Sequence, residues 1–393
     1  MVIKMKTNVK AILGLTALLL IFIFSPALAS AASDYSTLVD TEWENFKFVK
    51  NIMIWFMLML VAFLMIFIKK YEWSVALAVL LSAAGSFIVY LGINDFLFGA
   101  VWNQDLLLMG VICAITVVIA IGCFLGILKM WQYLLVGLLF APAFIIIEQF
   151  MVYMNATDPG GSILVHMCAA YFGLGVALAI RDKRAFDEPM YTTTHSISFV
   201  WLAAMLLWML WPAFITALLP LEQVLWATMT CYLAGIGSIL SAWVVCTVLQ
   251  KKVNPLIYTY AMLAGPVAIG SPLLMVGPWG ALLIGLLAGA ISAVSFIYLQ
   301  SRLCKMLGVL DVMGVHNLHG VAGWVGVVIS AILLISVGSP ALAAANLLTA
   351  AGVLVITLVL GIVVGLIVKF TRGSMSDEMM FSDDADFIKS EAP

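Results

Sequence analysis

The stretch "DVMGVHNLHG", residues 311–320, places one carboxylate and two histidines at the start of one of the most apolar segments of the chain. Ionisable side chains are rare inside membrane helices because a charge is costly to place in hydrocarbon, and those present usually face a cavity or one another. The stretch therefore predicts a membrane segment whose polar side chains face the interior of the protein.

The overall composition places the whole chain in the same class. The chain has 393 residues, of which 65% are hydrophobic and 10% charged, and its mean hydropathy is +1.17. Soluble globular domains are about 45–50% apolar, so this composition predicts a polytopic membrane protein instead. The net charge of -2 gives no reason to expect a nucleic-acid partner. The six cysteines show no metal-binding spacing, and we interpret them as packing residues.

Residues 1–31 predict a cleaved signal peptide. Three lysines precede the apolar run "AILGLTALLLIFIF", and "SPALASAAS" then offers small residues suited to cleavage near Ala29 or Ala31. An uncleaved first membrane helix is the alternative, because this apolar run is long for a signal. In both cases residues 32–48 are expected to form an extracytoplasmic segment.

Eleven apolar runs follow, each about as long as a helix that crosses the membrane. A hydrocarbon core roughly 30 Å thick requires about 20 residues of helix. We predict transmembrane helices at residues 49–68, 73–93, 106–128, 131–154, 159–180, 196–218, 224–249, 257–275, 278–299, 311–336 and 346–368. The predicted fold is therefore an all-α polytopic membrane domain over residues 49–370.

Positively charged residues mark alternate junctions between these runs. Twelve of the 18 Lys and Arg lie there, namely Lys69, Lys70, Lys129, Arg181, Lys183, Arg184, Lys251, Lys252, Arg302, Lys305, Lys369 and Arg372. Lys and Arg are retained on the cytoplasmic side of a membrane protein. We therefore predict an amino terminus outside and a carboxyl terminus inside a plasma or inner cell membrane, with residues 371–393 as a short acidic cytoplasmic tail.

A second stretch, "DPGGSILVH" at residues 158–166, matches residues 311–319 position by position. Both read D-x-x-G-x-x-x-x-H, both continue to a glycine seven residues after the histidine, and the offset is 153 throughout (311 minus 158). They begin the fifth and tenth predicted spans. Because five helices per repeat is an odd number, the second copy must be inverted in the membrane, as in many transporters. The prediction is two inverted five-helix repeats plus a C-terminal helix.

The matched spacing predicts that His166 and His319 face each other near the middle of the membrane. Each lies eight residues after its aspartate, or about 12 Å along a helix, which brings them within roughly 6 Å of one another along the membrane normal. The alternative is that each histidine forms a separate hydrogen bond in a packed core. Asp158 precedes a proline in the manner of a helix N-cap, and Asp311 can cap the tenth span likewise. Capping and direct substrate contact are both open for these aspartates.

Two further ionisable residues carry weaker predictions. His316 lies three residues before His319, so it either lines an inner vestibule or bonds to the backbone. Glu148 lies near the outer end of the fourth span, where it either attracts cations to an outer vestibule or forms a hydrogen bond between helices. A metal site is not expected, because the aspartates lie about 12 Å of helix away from their histidines whereas metal bonds are near 2 Å.

The motifs together resemble the Rhesus-type branch of the ammonium transporter superfamily. The resemblance is carried by "DPGGSILVHMCAAYFGL", "LLWMLWPAF" and "LDVMGVHNLHGVAG", and it extends over nearly all of residues 49–370. The "HNLHG" form favours the Rhesus branch over the classical ammonium transporters. The resemblance implies a homotrimer in which each subunit has its own narrow apolar pore, crossed at mid-depth by two hydrogen-bonded histidines.

The resemblance also implies roles for individual residues. The positions that match the family's pore histidines, paired aspartates, vestibular glutamate and gating phenylalanine are His166, His319, Asp158, Asp311, Glu148 and Phe214. One departure is that the outer phenylalanine of the usual stacked pair is replaced, and Ile112 is the nearest counterpart by spacing. A looser external gate is therefore expected.

The function implied is transmembrane transport of ammonia or ammonium, with no cofactor and no enzymatic chemistry. An ammonium ion carries a charge that is costly in an apolar lumen, whereas neutral ammonia needs only hydrogen-bond partners, which imidazoles supply as donor and acceptor. A conduit for carbon dioxide or methylamine is an alternative substrate assignment. An ammonium sensor that signals through the cytoplasmic tail is the alternative class, although this tail is short and shows no recognisable signalling domain.

Overall fold

A computed structural model describes residues 41–67, 71–183, 192–373, 375 and 380–382. All of the regular secondary structure in this part of the chain is helical. Ten of its helices are long and apolar enough to cross a membrane. The predicted signal peptide, most of the predicted extracytoplasmic segment and most of the acidic tail lie outside the described residues.

The long helices follow the predicted spans closely along the chain. In chain order the elements are α1 (Thr41–Leu64), α2 (Glu72–Phe98), α3 (Gln104–Ile121), α4 (Met130–Tyr153), α5 (Ser162–Ile180), α6 (Thr194–Ile215), α7 (Leu221–Gln250), α8 (Pro255–Ala261), α9 (Ala264–Ala268), α10 (Pro278–Leu307), α11 (His316–Ser336) and α12 (Pro340–Arg372). Their apolar side chains form one main core, in which Phe140, Phe144 and Phe172 are among the largest fully buried side chains.

The eighth predicted span is not one continuous helix, which corrects the expectation of eleven long spanning helices. Residues 257–275 instead contain the short helices α8 and α9, followed by turns. Pro266 explains the interruption, because proline is tolerated in the first turn of a helix but clashes with the preceding turn in a helix interior. Gly265 packs directly against the backbone of Ala234 in α7, so a side chain at this position would separate the two elements.

Both D-x-x-G-x-x-x-x-H stretches form a loop followed by a π-helical turn. The π-helical turns are Ser162–Met167 in α5 and His316–Val321 in α11, so these helices begin three and five residues later than the predicted spans. The glycine of each motif has a positive φ, +80° at Gly161 and +65° at Gly314, which explains why this position favours glycine. π-helical turns are rare and often occur at functional sites.

Each of the two loops hydrogen-bonds to a turn that follows another helix. The N–H of Gly160 donates to the carbonyl of Gly270 at 2.9 Å, just beyond α9, and the N–H of Met313 donates to the carbonyl of Gly122 at 3.0 Å, just beyond α3. Positions 160 and 313 are again 153 residues apart. These bonds hold each loop at a fixed place within the helical bundle.

The basic ends of several helices meet on one face of the bundle. Arg372 at the end of α12 forms a 2.6 Å ion pair with Asp182, which follows α5. Arg181 donates to the carbonyl of Leu307 at the end of α10, at a distance of 2.7 Å. The ends of α5, α10 and α12, which carry three of the alternate Lys and Arg clusters, therefore lie together in three dimensions.

Candidate functional site

His166 and His319 contact each other in the interior of the bundle. Their Nδ1 atoms are 3.1 Å apart, and the two rings lie nearly parallel, with centroids 5.1 Å apart and an interplanar angle of 19°. The side chains are buried, at 1% and 8% exposure. One Nδ1 carries the hydrogen and donates while the other accepts, so the pair contains complementary tautomers. The structure thus brings together the two histidines that the repeat predicted to face each other.

The histidine pair lies on the wall of an apolar cavity. The lining side chains are Met57, Val61, Leu64, Met65, Ile115, Ile119, His166, Leu207, Trp211, Phe214, Tyr260, Leu263, Met313, Val315, Leu318 and His319. None of these side chains is a carboxylate, a lysine or an arginine. A charged molecule would therefore lose its hydration in this cavity without meeting an opposite charge, whereas a small neutral polar molecule would lose much less.

Two aromatic rings also contact the His166 ring. Trp211 stacks on the His166 ring with centroids 5.6 Å apart, and the Phe214 ring is 6.0 Å from His166. Among the described residues, neither His166 Nε2 nor Trp211 Nε1 has a protein hydrogen-bond partner, although both atoms are buried. Buried polar atoms are normally satisfied. These two atoms, on side chains that line one cavity, are available to a small molecule that forms hydrogen bonds.

The two aspartates hold the starts of the histidine-bearing helices. Asp158 Oδ2 accepts from the N–H groups of Ile163 and Leu164 at 2.7 and 2.9 Å, and its Oδ1 accepts from the Ser271 hydroxyl at 2.7 Å. These bonds occupy backbone donors that have no partner within the helix itself. The Asp158 carboxylate does not line the cavity.

Asp311 acts in the same way at α11. Its two carboxylate oxygens each accept at 3.0 Å, one from the N–H of Val315 and the other from the N–H of His316. It does not line the cavity either. Neither aspartate is the N-cap residue that the sequence predicted, because α5 begins after Gly161 and α11 begins after Val315. Each carboxylate instead accepts from backbone N–H groups at the helix start from its place in the preceding loop.

Glu148, Ile112 and His316 lie outside the cavity wall. Both carboxylate oxygens of Glu148 accept from the Tyr90 hydroxyl at 3.1 Å, a contact between α4 and α2. Ile112 is buried within α3, three residues before the lining residue Ile115. The His316 ring packs edge-on against Tyr171, and its buried Nδ1 has no partner among the described residues.

Sequence reasoning missed a polar network that supports α11. The Asn317 side chain contacts the Ser295 hydroxyl and the Gln300 side chain, and Gln300 Nε2 donates to the carbonyl of Asp311 at 2.9 Å. This network joins α10 to the loop that precedes His319. Asn317 lies within the motif "DVMGVHNLHG", but the corresponding residue of the first repeat is a leucine. A comparison of the two repeats therefore does not single out Asn317.

A second missed contact does follow the repeat. Trp324 Nε1 donates to the Tyr171 hydroxyl at 2.8 Å, and these two positions are also separated by 153 residues. The pair therefore links α5 and α11 five residues beyond the histidines. The signal was present in the sequence, since both positions carry an aromatic residue at the repeat offset.

Comparison with known proteins identifies the family. The sequence profile of the Ammonium Transporter Family matches residues 11–391, which is nearly the whole chain. The chain belongs to the ammonium transporter family. The resemblance to the Rhesus-type branch is also confirmed, because curated relatives of this chain include proteins named as Rh-type ammonium transporters.

Individual relatives and a solved structure agree with this placement of the chain. It is 30% identical to ammonium transporter Rh type A of Canis lupus familiaris over 325 residues, covering 76% of this chain and 75% of the relative. It is 33% identical to Rhesus-like glycoprotein B of Dictyostelium discoideum over 235 residues, covering 57% of this chain but only 38% of that relative. The solved structure of Rh50 from Nitrosomonas europaea, a channel of the Rhesus protein family, aligns with a TM-score of 0.83 at 32% identity, covering 90% of this chain and 95% of that one.

Proposed function

We propose that this member of the ammonium transporter family carries ammonia across a cell membrane, by way of the cavity lined by His166 and His319. The observation that carries the proposal is the buried contact between their Nδ1 atoms, 3.1 Å apart, on the wall of an otherwise apolar cavity. Relatives named as ammonium transporters and a related Rhesus channel support the choice of substrate.

The chemistry of the cavity favours ammonia over ammonium inside the protein. The lining offers no anion to compensate a cation, so ammonium must leave its proton outside. Ammonia then needs donors and acceptors in place of water. The unsatisfied His166 Nε2 and Trp211 Nε1 supply such partners, and a neutral imidazole can accept or donate depending on its tautomer.

Phe214 narrows the path on the side of α6, where its ring lies 6.0 Å from His166. We assign it the role of gate. Ile112 stands in place of a second ring, which leaves the outer constriction looser. Glu148 raises the local concentration of ammonium outside the cavity, while its contact with Tyr90 fixes the carboxylate between α4 and α2.

The proposal includes a topology and an assembly. The basic helix ends, which meet on one face through Arg372, Asp182 and Arg181, are assigned to the cytoplasmic side of a plasma or inner cell membrane. The matched loops, π-helical turns and histidines at an offset of 153 support two inverted repeats. A homotrimer with one pore per subunit is assigned from the family, and residues 1–31 are assigned as a cleaved signal peptide from their sequence.

A flux measurement tests the proposal. Purified protein is reconstituted into liposomes that contain a pH-sensitive dye, and an inward ammonium gradient is imposed by rapid mixing. We expect the internal pH to change faster than in protein-free liposomes, because entering ammonia binds a proton inside. An equal rate in both kinds of vesicle would refute the proposal. Parallel runs with methylamine and carbon dioxide measure which of the three solutes this cavity conducts best.

A further inference from the structure

Lys50 is a positively charged residue near one end of the cavity. It has no role in the proposed function. Its Nζ donates to the Thr216 hydroxyl at 2.9 Å and lies 4.7 Å from the centroid of the Phe46 ring. Among the described residues, no carboxylate forms an ion pair with it. The nearby Lys47 differs, because it is paired with Asp105 at 2.6 Å. Within the part of the chain that the structure describes, the positive charge of Lys50 is therefore uncompensated.

The position of Lys50 relates it directly to the cavity wall. Met57, Val61 and Leu64 line the cavity from α1, and a helical spacing of three and four residues places Lys50 on the same stripe, seven residues before Met57. Seven residues of helix correspond to about 10 Å. Thr216, which accepts a hydrogen bond from the side-chain amine of Lys50, comes two residues after Phe214. Lys50 therefore lies at the end of the cavity where Phe214 stands.

The hydrogen bonds around Thr216 fix the lysine head group. Thr216 Oγ1 donates to the carbonyl of Pro212 at 2.5 Å, which leaves its lone pairs free to accept from Lys50. Thr216 is fully buried, so the acceptor position is rigid. The face of the Phe46 ring adds a cation–π contact on the other side of the amine. These contacts keep the charge beside the end of the cavity instead of allowing it to extend into water.

We propose that Lys50 sets the charge selectivity of the conduction path, repelling ammonium and other monovalent cations while leaving neutral ammonia unaffected. This inference rests on the proposed function and specifies the chemical species that enters. The relevant distance is taken as the helical distance of about 10 Å from Lys50 to the first lining residue, Met57. A unit positive charge at about 10 Å from a monovalent cation, in surroundings of effective dielectric constant near 20, lowers the occupancy of that cation by roughly tenfold. Glu148, which attracts cations, contacts Tyr90 between α4 and α2, whereas Lys50 lies on the stripe that continues into the cavity.

A charge series at position 50 tests this inference. Currents are recorded on solid-supported membranes after ammonium concentration jumps, for wild type and for Lys50→Arg, Lys50→Gln, Lys50→Met and Lys50→Glu. We expect Lys50→Arg to resemble wild type, both neutral variants to give roughly tenfold larger currents at low salt, and Lys50→Glu to give the largest. The gain should shrink at high ionic strength, because salt screens a charge at about 10 Å. Lys50→Gln retains a donor for Thr216, so it separates the charge from the hydrogen bond.

The matched control is the double variant Lys47→Met with Asp105→Asn, which removes a lysine at the same end of α1 without changing the net charge. Its current should equal that of wild type. Currents that do not sort by charge, or an equal gain in the control, would overturn the role of Lys50. Internal pH is recorded on the same wild-type vesicles: absence of ammonia flux refutes the proposed function, whereas normal flux with charge-independent currents refutes the Lys50 inference alone.

Discussion

Asp311→Ala is expected to destabilise the protein strongly and to abolish ammonia flux. Asp311 is 2% exposed, and its carboxylate accepts from the N–H groups of Val315 and His316 at the start of α11. Hydrogen bonds to a carboxylate contribute roughly 1.5–3 kcal/mol each, and the two donors would remain buried without partners, so we expect a loss of about 3–5 kcal/mol in the free energy of unfolding. The measurement is thermal unfolding of purified protein in detergent, followed by flux in liposomes.

A graded series separates capping from other roles of this aspartate. Asp311→Asn keeps one acceptor oxygen, so its stability should fall between those of wild type and Asp311→Ala. Asp158→Ala should behave like Asp311→Ala, because Asp158 makes the corresponding bonds at α5. Wild-type unfolding temperature and flux in Asp311→Ala would show that the carboxylate does not hold the helix that carries His319.

Gly326→Ala is the second substitution with a large expected effect. A Cβ at Gly326 would overlap the backbone carbonyl of Ala268 in α9, and neither backbone can move without shifting a helix. Overpacking of this kind costs about 1–3 kcal/mol, and here it also displaces α11, which carries His319. We expect a lower unfolding temperature in detergent and reduced flux in liposomes.

Gly92→Ala is the matched control for this substitution. Gly92 is also helical, but its Cβ would meet only the Phe96 ring at 4.0 Å. Alanine is favoured over glycine in a helix by about 1 kcal/mol, so this variant should be as stable as wild type or more stable. Gly173→Ala should resemble Gly326→Ala, because Gly173 contacts the backbone of Ala120. If Gly326→Ala and Gly92→Ala unfold at the same temperature, close helix packing at Gly326 is not required.

The repeat made the centre of the site predictable from sequence. Asp and His are rare inside apolar spans, so their recurrence at a constant offset was informative even in one sequence. It led to the contact between His166 and His319, and the same offset applies to the positive φ of Gly161 and Gly314. The local geometry was not predictable, because a sequence pattern does not reveal that the chain forms a π-helical turn at each histidine.

Features that depend on tertiary contacts could not be predicted from the sequence. The break in the eighth span was not predicted because hydropathy reports only the length of an apolar run. The interruption depends instead on Pro266 and on the close contact of Gly265 with α7. The bond from Gln300 to the Asp311 carbonyl joins α10 to the loop before α11 and has no counterpart among the described bonds of the other repeat. Lys50 received no role from the sequence because a lysine at the first turn of an apolar run is indistinguishable, in sequence, from an ordinary flanking charge.

The proposed conduction path depends most directly on the histidine pair, so the decisive measurement compares ammonia flux through His166→Ala, His319→Ala and His316→Ala in liposomes of equal protein content. Loss of a hydrogen-bond partner for ammonia in an apolar cavity costs about 1–3 kcal/mol, which predicts a flux roughly ten to a hundred times lower for each variant of the pair. His316 does not line the cavity, so its variant should conduct close to wild type. Unchanged flux in His166→Ala and His319→Ala, or an equal loss in all three, would contradict the account.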